Sequence, residues 1–503
     1  MKPFLVVFLF PCLLMGCEKS SDPTPKPYSL SDKSLEEVVD HSNRLLRNST
    51  PFEVYGLNKE DFSEEKQRFM AELFDKERHR FLYLPNVEKL TSEDAQKLIG
   101  FTGDEIYFNG LLDLDRASAE TLSSFKGKSL TFNGLKSLDN RTAAALAQFK
   151  GDVLSFNGMG SIDKSTVDAL SKFAGAVIVL NGLEGVDKST AQALSKLAVN
   201  LLYLDGLKGL DKATAEALSK FKGDYLFLDG LERLDEVTAE ALSMFKGRSL
   251  SLNALKELDK ATMYSLSMFK GSEVYLNGLE RLDKVVAEVL STFGGSFLHL
   301  NGLKSLDKGA ATALSKFMGE YLYLNGLEGV DNATAEPLSQ FNGKGLIMDG
   351  LESLDGAEAL SRFGGVEISL NGLKELDKTT AEVLSRFGVR FLYLDGLKRL
   401  DRATAEMLSP FNGEYLTLNG LERLDKSTAE ALSSFKGRSL ALNGLKGLDK
   451  STAEALSRFK GGFLALHGLS HLDNSTAEAL AAFKGSLDVR SAVEQLTDKY
   501  RNK

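Results

Sequence analysis

The chain is 503 residues long, and its 43% hydrophobic and 26% charged residues are those of an ordinary folded protein, which excludes disorder over most of its length. Against 61 Lys and Arg stand 70 Asp and Glu, a formal net charge of −9. With no basic stripe to hold phosphates, nucleic acid is excluded as the main partner.

Met1-Lys2 and the apolar run from Phe4 to Met15 have the charged start and short apolar core of a secretion signal. The run ends in Leu14-Met15-Gly16-Cys17. This tetrapeptide resembles the lipobox of bacterial lipoproteins. The resemblance implies that residues 1–16 are removed and that Cys17 is lipidated. The protein would then be lipid-anchored in the cell envelope to a bacterial membrane, periplasmic or surface-exposed. An ordinary signal peptide or an N-terminal membrane helix is the alternative, and the run is short for a span. Cys12 falls in the removed segment, so Cys17 is the one cysteine left, which excludes disulfides and thiolate metal sites. Residues 17–30 carry Ser, Asp, Thr and Pro23, Pro25 and Pro27, a tether between lipid and domain.

Residues 31–80 hold two amphipathic stretches, 32–47 and 61–79, with Leu35, Val38, Val39, Leu45, Leu46, Phe69, Met70, Leu73 and Phe74 at helical spacing. They read as an N-terminal helical cap. His41 and His79 lie here without a metal-ligand constellation.

From residue 81 to 486 the chain is an array of about 17 repeats, whose Asx-Gly steps recur every 24 residues from Asn109 to Asp349 and again from Asn371 to His467. Only the interval 371 − 349 = 22 is short. Taking residues 202–223 as the type, Leu202-Tyr203-Leu204 alternates as a short strand, with the leucines inward and Tyr203 outward. Asp205-Gly206 is a turn that admits positive φ. Leu207 and Leu210 return to the core, and Asp211 is a helix N-cap before Thr-Ala-Glu-Ala-Leu-Ser. Capping accounts for the Asp row better than a calcium site does. The helical arc buries Ala215, Leu218 and Phe221 and closes at Gly223, a C-cap. Pro337 and Pro410 fall inside this arc and require it to be short. Equivalents of Phe221 recur in nearly every repeat and form a phenylalanine spine, with Leu197 the exception. The short repeat runs from Asp355 directly into Gly356-Ala357-Glu358 and is expected to be irregular. Residues 487–503 open with the capping box Ser491-Ala-Val-Glu494 and read as a C-terminal helical cap.

The strand, turn and short helix, with fixed inward leucines and the phenylalanine spine, resemble bacterial leucine-rich repeats over about four-fifths of the chain. Ala-Glu-Ala-Leu-Ser is similar to the signature of the GALA-like bacterial class. One departure is that Asn133 follows Phe132 directly, where that family leaves two residues before its Asn. The resemblance implies an α/β fold: a right-handed leucine-rich-repeat-like solenoid, or horseshoe, with one short parallel strand and one short helix per repeat and a helical cap at each end. Its concave sheet would be on the order of 80 Å long.

The outward strand positions are the ones free to vary, and aromatic residues gather there: Tyr203, Tyr225 and Phe227, then Tyr275, Phe297, His299, Tyr321 and Tyr323, then Phe391, Tyr393 and Tyr415. Ser129 and Thr131, Ser249 and Ser251, and Ser439 and Ala441 interrupt the rows. Tyrosine joins large apolar area to a hydroxyl, which suits a contact surface for a protein or glycan ligand. Aromatic residues also favour strands and fill sheets, so the competing expectation is a passive structural or adhesive spacer. No GxSxG, phosphate loop or HExxH is present, and His467 and His471 lie on a strand-turn segment that does not converge them. The expectation is therefore a monomeric, non-enzymatic binding protein without cofactor or metal.

Overall fold

Each repeat gives only three residues to its strand, so no strand is stable alone and all depend on their neighbours in the next coil. The computed structural model describes residues 30–31, 33–48, 74 and 78–501. The expected signal segment, Cys17, most of the expected tether and most of the stretch 61–79 lie outside the described residues. The chain divides into two units, Met1–Tyr275 and Leu276–Lys503.

The first unit carries nine strands, from Phe81–Tyr83 to Glu273–Tyr275, each followed by a short helix until the last. All pair in parallel and in register, so that Leu202 faces Leu226 and Tyr203 faces Phe227. Equivalent side chains therefore stack in rows along the array. The second unit repeats the pattern with nine strands, from Phe297–His299 to Ser486–Asp488. A last strand, Ser486–Asp488, pairs with Phe463–Ala465 and straddles the boundary between the array read to residue 486 and the C-terminal cap read from 487.

The inward leucines are where alternation puts them. Leu202, Leu204, Leu207 and Leu218 are all fully buried, whereas Leu210 is half-buried. Fifteen helices have an Asp N-cap whose carboxylate accepts from the backbone N–H three residues on, as Asp211 does from Thr214 at 2.7 Å. An unpaired first-turn amide is satisfied this way in each of these repeats, and in the first repeat Thr91 caps helix Ser92–Leu98 instead. The short repeat departs as expected: its helix is the four residues Ala357–Leu360, with Gly356 at the N-cap and no side-chain cap. The helix itself is shorter than the arc read from sequence. It spans Lys212–Leu218 with Ser219 as C-cap, so Phe221 and Gly223 lie beyond it. Pro337 sits in the last turn of Asn332–Leu338, while Pro410 falls past the end of Arg402–Leu408.

The phenylalanine spine stacks coil on coil. Ring centroids are 6.2 Å apart for Phe221–Phe245 and 6.0 Å for Phe245–Phe269 in the first unit, and 6.3 Å for Phe293–Phe317 in the second. Burying each ring contributes roughly 1.5–3 kcal/mol. Gly223 makes room for it: a Cβ there would stand 2.4 Å from Cζ of Phe221 and 2.5 Å from the Val199 carbonyl oxygen.

The Asx-Gly step is not the positive-φ turn that its composition suggests. Gly206 does not adopt a left-handed φ, and the constraint there is space, since a Cβ would lie 2.2 Å from the Asn181 carbonyl oxygen of the preceding coil. The Asx side chain tethers the coils. In the first unit Oδ1 of Asn181 accepts from the Asp205 N–H at 3.0 Å, and Asp205 accepts from the Asp229 N–H in the same way. In the second unit the ladder runs from Asn277 through Asn301, Asn325, Asp349, Asn371, Asp395, Asn419 and Asn443 to the His467 N–H.

Both ends are covered. Helix Leu35–Asn48 begins with a reciprocal Ser34–Glu37 pair, in which each side chain accepts from the other residue's N–H. Its Ser42 hydroxyl accepts from the N–H of Tyr83 on the first strand at 2.7 Å. Leu46 packs with Phe74, Phe81, Tyr83 and Tyr107, so the cap also covers the outer sheet face at that end. At the other end, helix Ser491–Arg501 buries Val493 and Thr497, and Arg501 donates to the carbonyls of Phe483 and Gly485. The Ser491 side chain of the expected capping box lies outside the described residues.

Candidate ligand-binding face

Strand alternation leaves the first and third residue of each strand on the face turned away from the helices. The two units use this face differently. In the first, Tyr203, Tyr225 and Phe227 form a closed cluster with Val177, Val179 and Leu201, and all six are at most 6% exposed. Tyr203 lies flat on Phe227 with centroids 4.1 Å apart. The expectation that these three present a contact surface is corrected: they are brought together, but as packed core of the sheet face. The physical reason is the in-register parallel pairing, which places bulky rings directly over one another and over the flanking branched side chains. Of the first unit's expected site residues, Tyr275 alone is half-exposed, and its hydroxyl donates to Glu273 at 3.2 Å.

In the second unit the expected residues are all half-exposed. Phe297 stacks on Tyr321 at 5.4 Å and His299 on Tyr323 at 4.1 Å, while Tyr321 and Tyr323 are 6.2 Å apart on one strand. Phe391 stacks on Tyr415 at 4.6 Å, with Tyr393 alongside. Desolvation pushes the His299 imidazole down to about 3, so it is neutral near pH 7 and serves as an aromatic ring. Two aromatic platforms result, separated along the sheet by the strands Gly345–Ile347 and Glu367–Ser369.

Sequence reading missed the carboxylates on this face. Glu105, Glu273 and Glu367 occupy first strand positions where most repeats carry aromatic, aliphatic or small residues. Burial raises the pKa of all three. Tyrosine hydroxyls two residues on answer the first two: Tyr107 donates to Glu105 and Tyr275 to Glu273. The signal was available, since a Glu among such residues is conspicuous once the strands are aligned.

Also missed was the pair Asp205 and Asp229, consecutive rungs of the Asx ladder that are 6% and 2% exposed. Asp229 is well served, accepting from the Ser251 hydroxyl at 2.6 Å and from both the N–H and the side-chain amide of Asn253. Asp205 accepts from the Asp229 N–H on one oxygen, and its Oδ2 is buried without a partner. Burial first, and the neighbouring Asp229 carboxylate second, raise its pKa well above the ordinary range. His467 and His471 are not brought together in a site: the His467 ring faces Asp488 at 3.5 Å and the His471 ring bonds Ser470. Among the described residues no group of three His, Cys, Asp or Glu side chains is placed to hold a metal ion. Among the described residues, too, no helix is long and apolar enough to cross a membrane.

The coils define a solenoid of the leucine-rich-repeat type, with a parallel strand and a short helix in each repeat. No protein-family model matches the chain, and neither does any curated protein. Among solved structures, the chain is similar to one in the mouse RP105/MD-1 complex, at 16% identity and a TM-score of 0.44, covering 78% of this chain and 80% of that one. An internalin from Listeria monocytogenes aligns at 16% identity and a TM-score of 0.34, covering 69% of this chain and 88% of that one. A chain of the Toll–Spatzle complex from Drosophila aligns at 12% identity and 0.37, over 80% of this chain and 49% of that one. The architecture rests on the strand registers given above and not on these likenesses, whose identities are too low to carry a function across.

Proposed function

We propose that this protein is a non-enzymatic binding protein, whose second unit holds a protein or glycan partner non-covalently on its outer sheet face. The observation that carries this reading is the half-exposed aromatic surface of Phe297, His299, Tyr321, Tyr323, Phe391, Tyr393 and Tyr415, at positions of the repeat that packing leaves uncommitted. Stacked tyrosines present broad apolar area with hydroxyls at the rim, at low entropic cost to the contact. The buried cluster around Tyr203 favours the second reading, a structural spacer, for the first unit alone. We further propose that lipidation of Cys17 holds the protein, as a monomer, to a bacterial membrane, and that its repeats belong with the GALA-like class, on the strength of the Ala-Glu-Ala-Leu-Ser helix.

The test is binding of the full chain to a glycan panel and to envelope protein extracts, beside a variant with Tyr321→Ser and Tyr323→Ser. A specific ligand that the folded variant loses supports the reading. No ligand, or equal binding by the variant, leaves the spacer as the better account.

A further inference from the structure

Building on the face reading above, we infer that the half-exposed Glu367 carboxylate, held beside the Tyr321 ring between the two aromatic platforms, is a subsite for one cationic group, the ammonium or guanidinium of a Lys or Arg side chain on a protein partner. Gly345, itself buried, contributes no side chain between Tyr321 and Glu367, and both lean over it. A Cβ on Gly345 would meet the Tyr321 ring at 2.5 Å and Cγ of Glu367 at 3.0 Å. Glycine thus lets an aromatic ring and a carboxylate stem close in from adjacent coils on either side. Beyond Glu367 the register places Phe391 directly opposite, with Tyr415 stacked on it at 4.6 Å, while Tyr393 stands opposite Ser369. The closeness of carboxylate and phenol is felt electrostatically: burial first and Glu367 second push the Tyr393 hydroxyl up to about 12.

Glu367 is the group left over when its neighbours have been paired. Neither flanking cation pairs with Glu367: Lys344 bonds Glu320 at 2.8 Å, and Arg390, whose guanidinium stands 5.5 Å from the Phe391 ring centroid, makes a two-pronged contact with Glu414 at 2.9 Å for each bond. The Ser369 hydroxyl, which stands where Tyr275 stands relative to Glu273, donates to Asp349 instead. Among the described residues the Glu367 carboxylate has neither hydrogen bond nor ion pair, and burial alone raises its pKa. A carboxylate half removed from water among ring faces attracts a cation through its own charge and through the ring quadrupoles. An anionic group would be repelled, and a neutral side chain would leave the carboxylate unpaired. The other carboxylate on this unit's outer face, Asp488, already faces His467.

The experiment is an array of blocked hexapeptides that differ only in a central Lys, Arg, Gln or Glu, probed with the full chain, with Glu367→Gln and with the Tyr321→Ser, Tyr323→Ser variant. The expected result is a preference for Lys and Arg over Gln of about tenfold or more, which Glu367→Gln abolishes while keeping the signal on Gln peptides. Equal wild-type signals for Lys, Arg and Gln overturn the inference without reference to any variant. So does a preference that survives Glu367→Gln in a protein whose thermal unfolding matches wild type. In either case, loss of all signal in the tyrosine variant shows that the face still binds and that only the cation subsite is wrong. If wild type and tyrosine variant capture the same peptides, the face reading fails and takes the subsite with it.

Discussion

Replacing Asp205 by Asn should make the protein more stable at neutral pH. In the ladder, Asn is the common rung, and Asn133 shows how it serves: its side-chain amide donates to Oδ1 of Asn109 at 3.0 Å. An Asn at 205 would donate to Asn181 in the same way and would remove a carboxyl whose Oδ2 is buried without a partner next to a second carboxylate. Leaving such an atom unpaired costs about 1–3 kcal/mol. With about 2–4 °C per kcal/mol for domains of a few hundred residues, the apparent Tm rises by several degrees. The sign of the pH dependence is fixed by the direction of the shift. Because the folded pKa of Asp205 lies above its unfolded value, the folded state holds the extra proton. Stability from this group is complete below the unfolded pKa of about 4 and drains away as pH rises toward the folded one. The difference in Tm between variant and wild type should therefore be small at about pH 4 and grow toward neutrality. Titrating groups other than the neighbouring Asp229, which is relieved of a like charge in the variant, are common to both proteins and cancel in that difference. An advantage as large in acid as at neutrality, or no advantage at all, would refute the reasoning.

Two further outcomes test the packing. Gly223→Ala should destabilise by about 1–3 kcal/mol, read as a fall in the denaturant midpoint, because its Cβ would meet both Phe221 and the Val199 carbonyl. Asp139→Ala should cost about 1 kcal/mol at neutral pH. The backbone N–H of Thr142 first, with that of Arg141, lowers the Asp139 pKa. Its contribution is thus present above the unfolded pKa and lost as pH falls through the folded one, so wild type and variant should converge in acid thermal melts.

The period, the inward leucines, the Asp caps and the phenylalanine spine were legible because each is local: a residue type at a fixed offset doing the same thing in every coil. What depends on the distance between coils was not. The Asx row reads as a turn in one repeat and becomes a ladder only when Oδ1 of Asn301 meets the N–H of Asn325. Glycine at 206 reads as freedom in φ and proves to be clearance from Asn181. Tyr203 and Tyr323 occupy equivalent places in their repeats, yet one is buried and the other half-exposed. The difference lies in neighbours 24 residues away: Val179 and Phe227 flank the first, His299 and Ile347 the second. Gly345 and Glu367 break the aromatic row between Tyr321 and Phe391. In an array of near-identical coils, the interruptions are the positions that distinguish one place on the face from another. A partner that needs a single address can find it only where the repeat is broken, and in the second unit that break pairs a missing side chain with an unanswered charge.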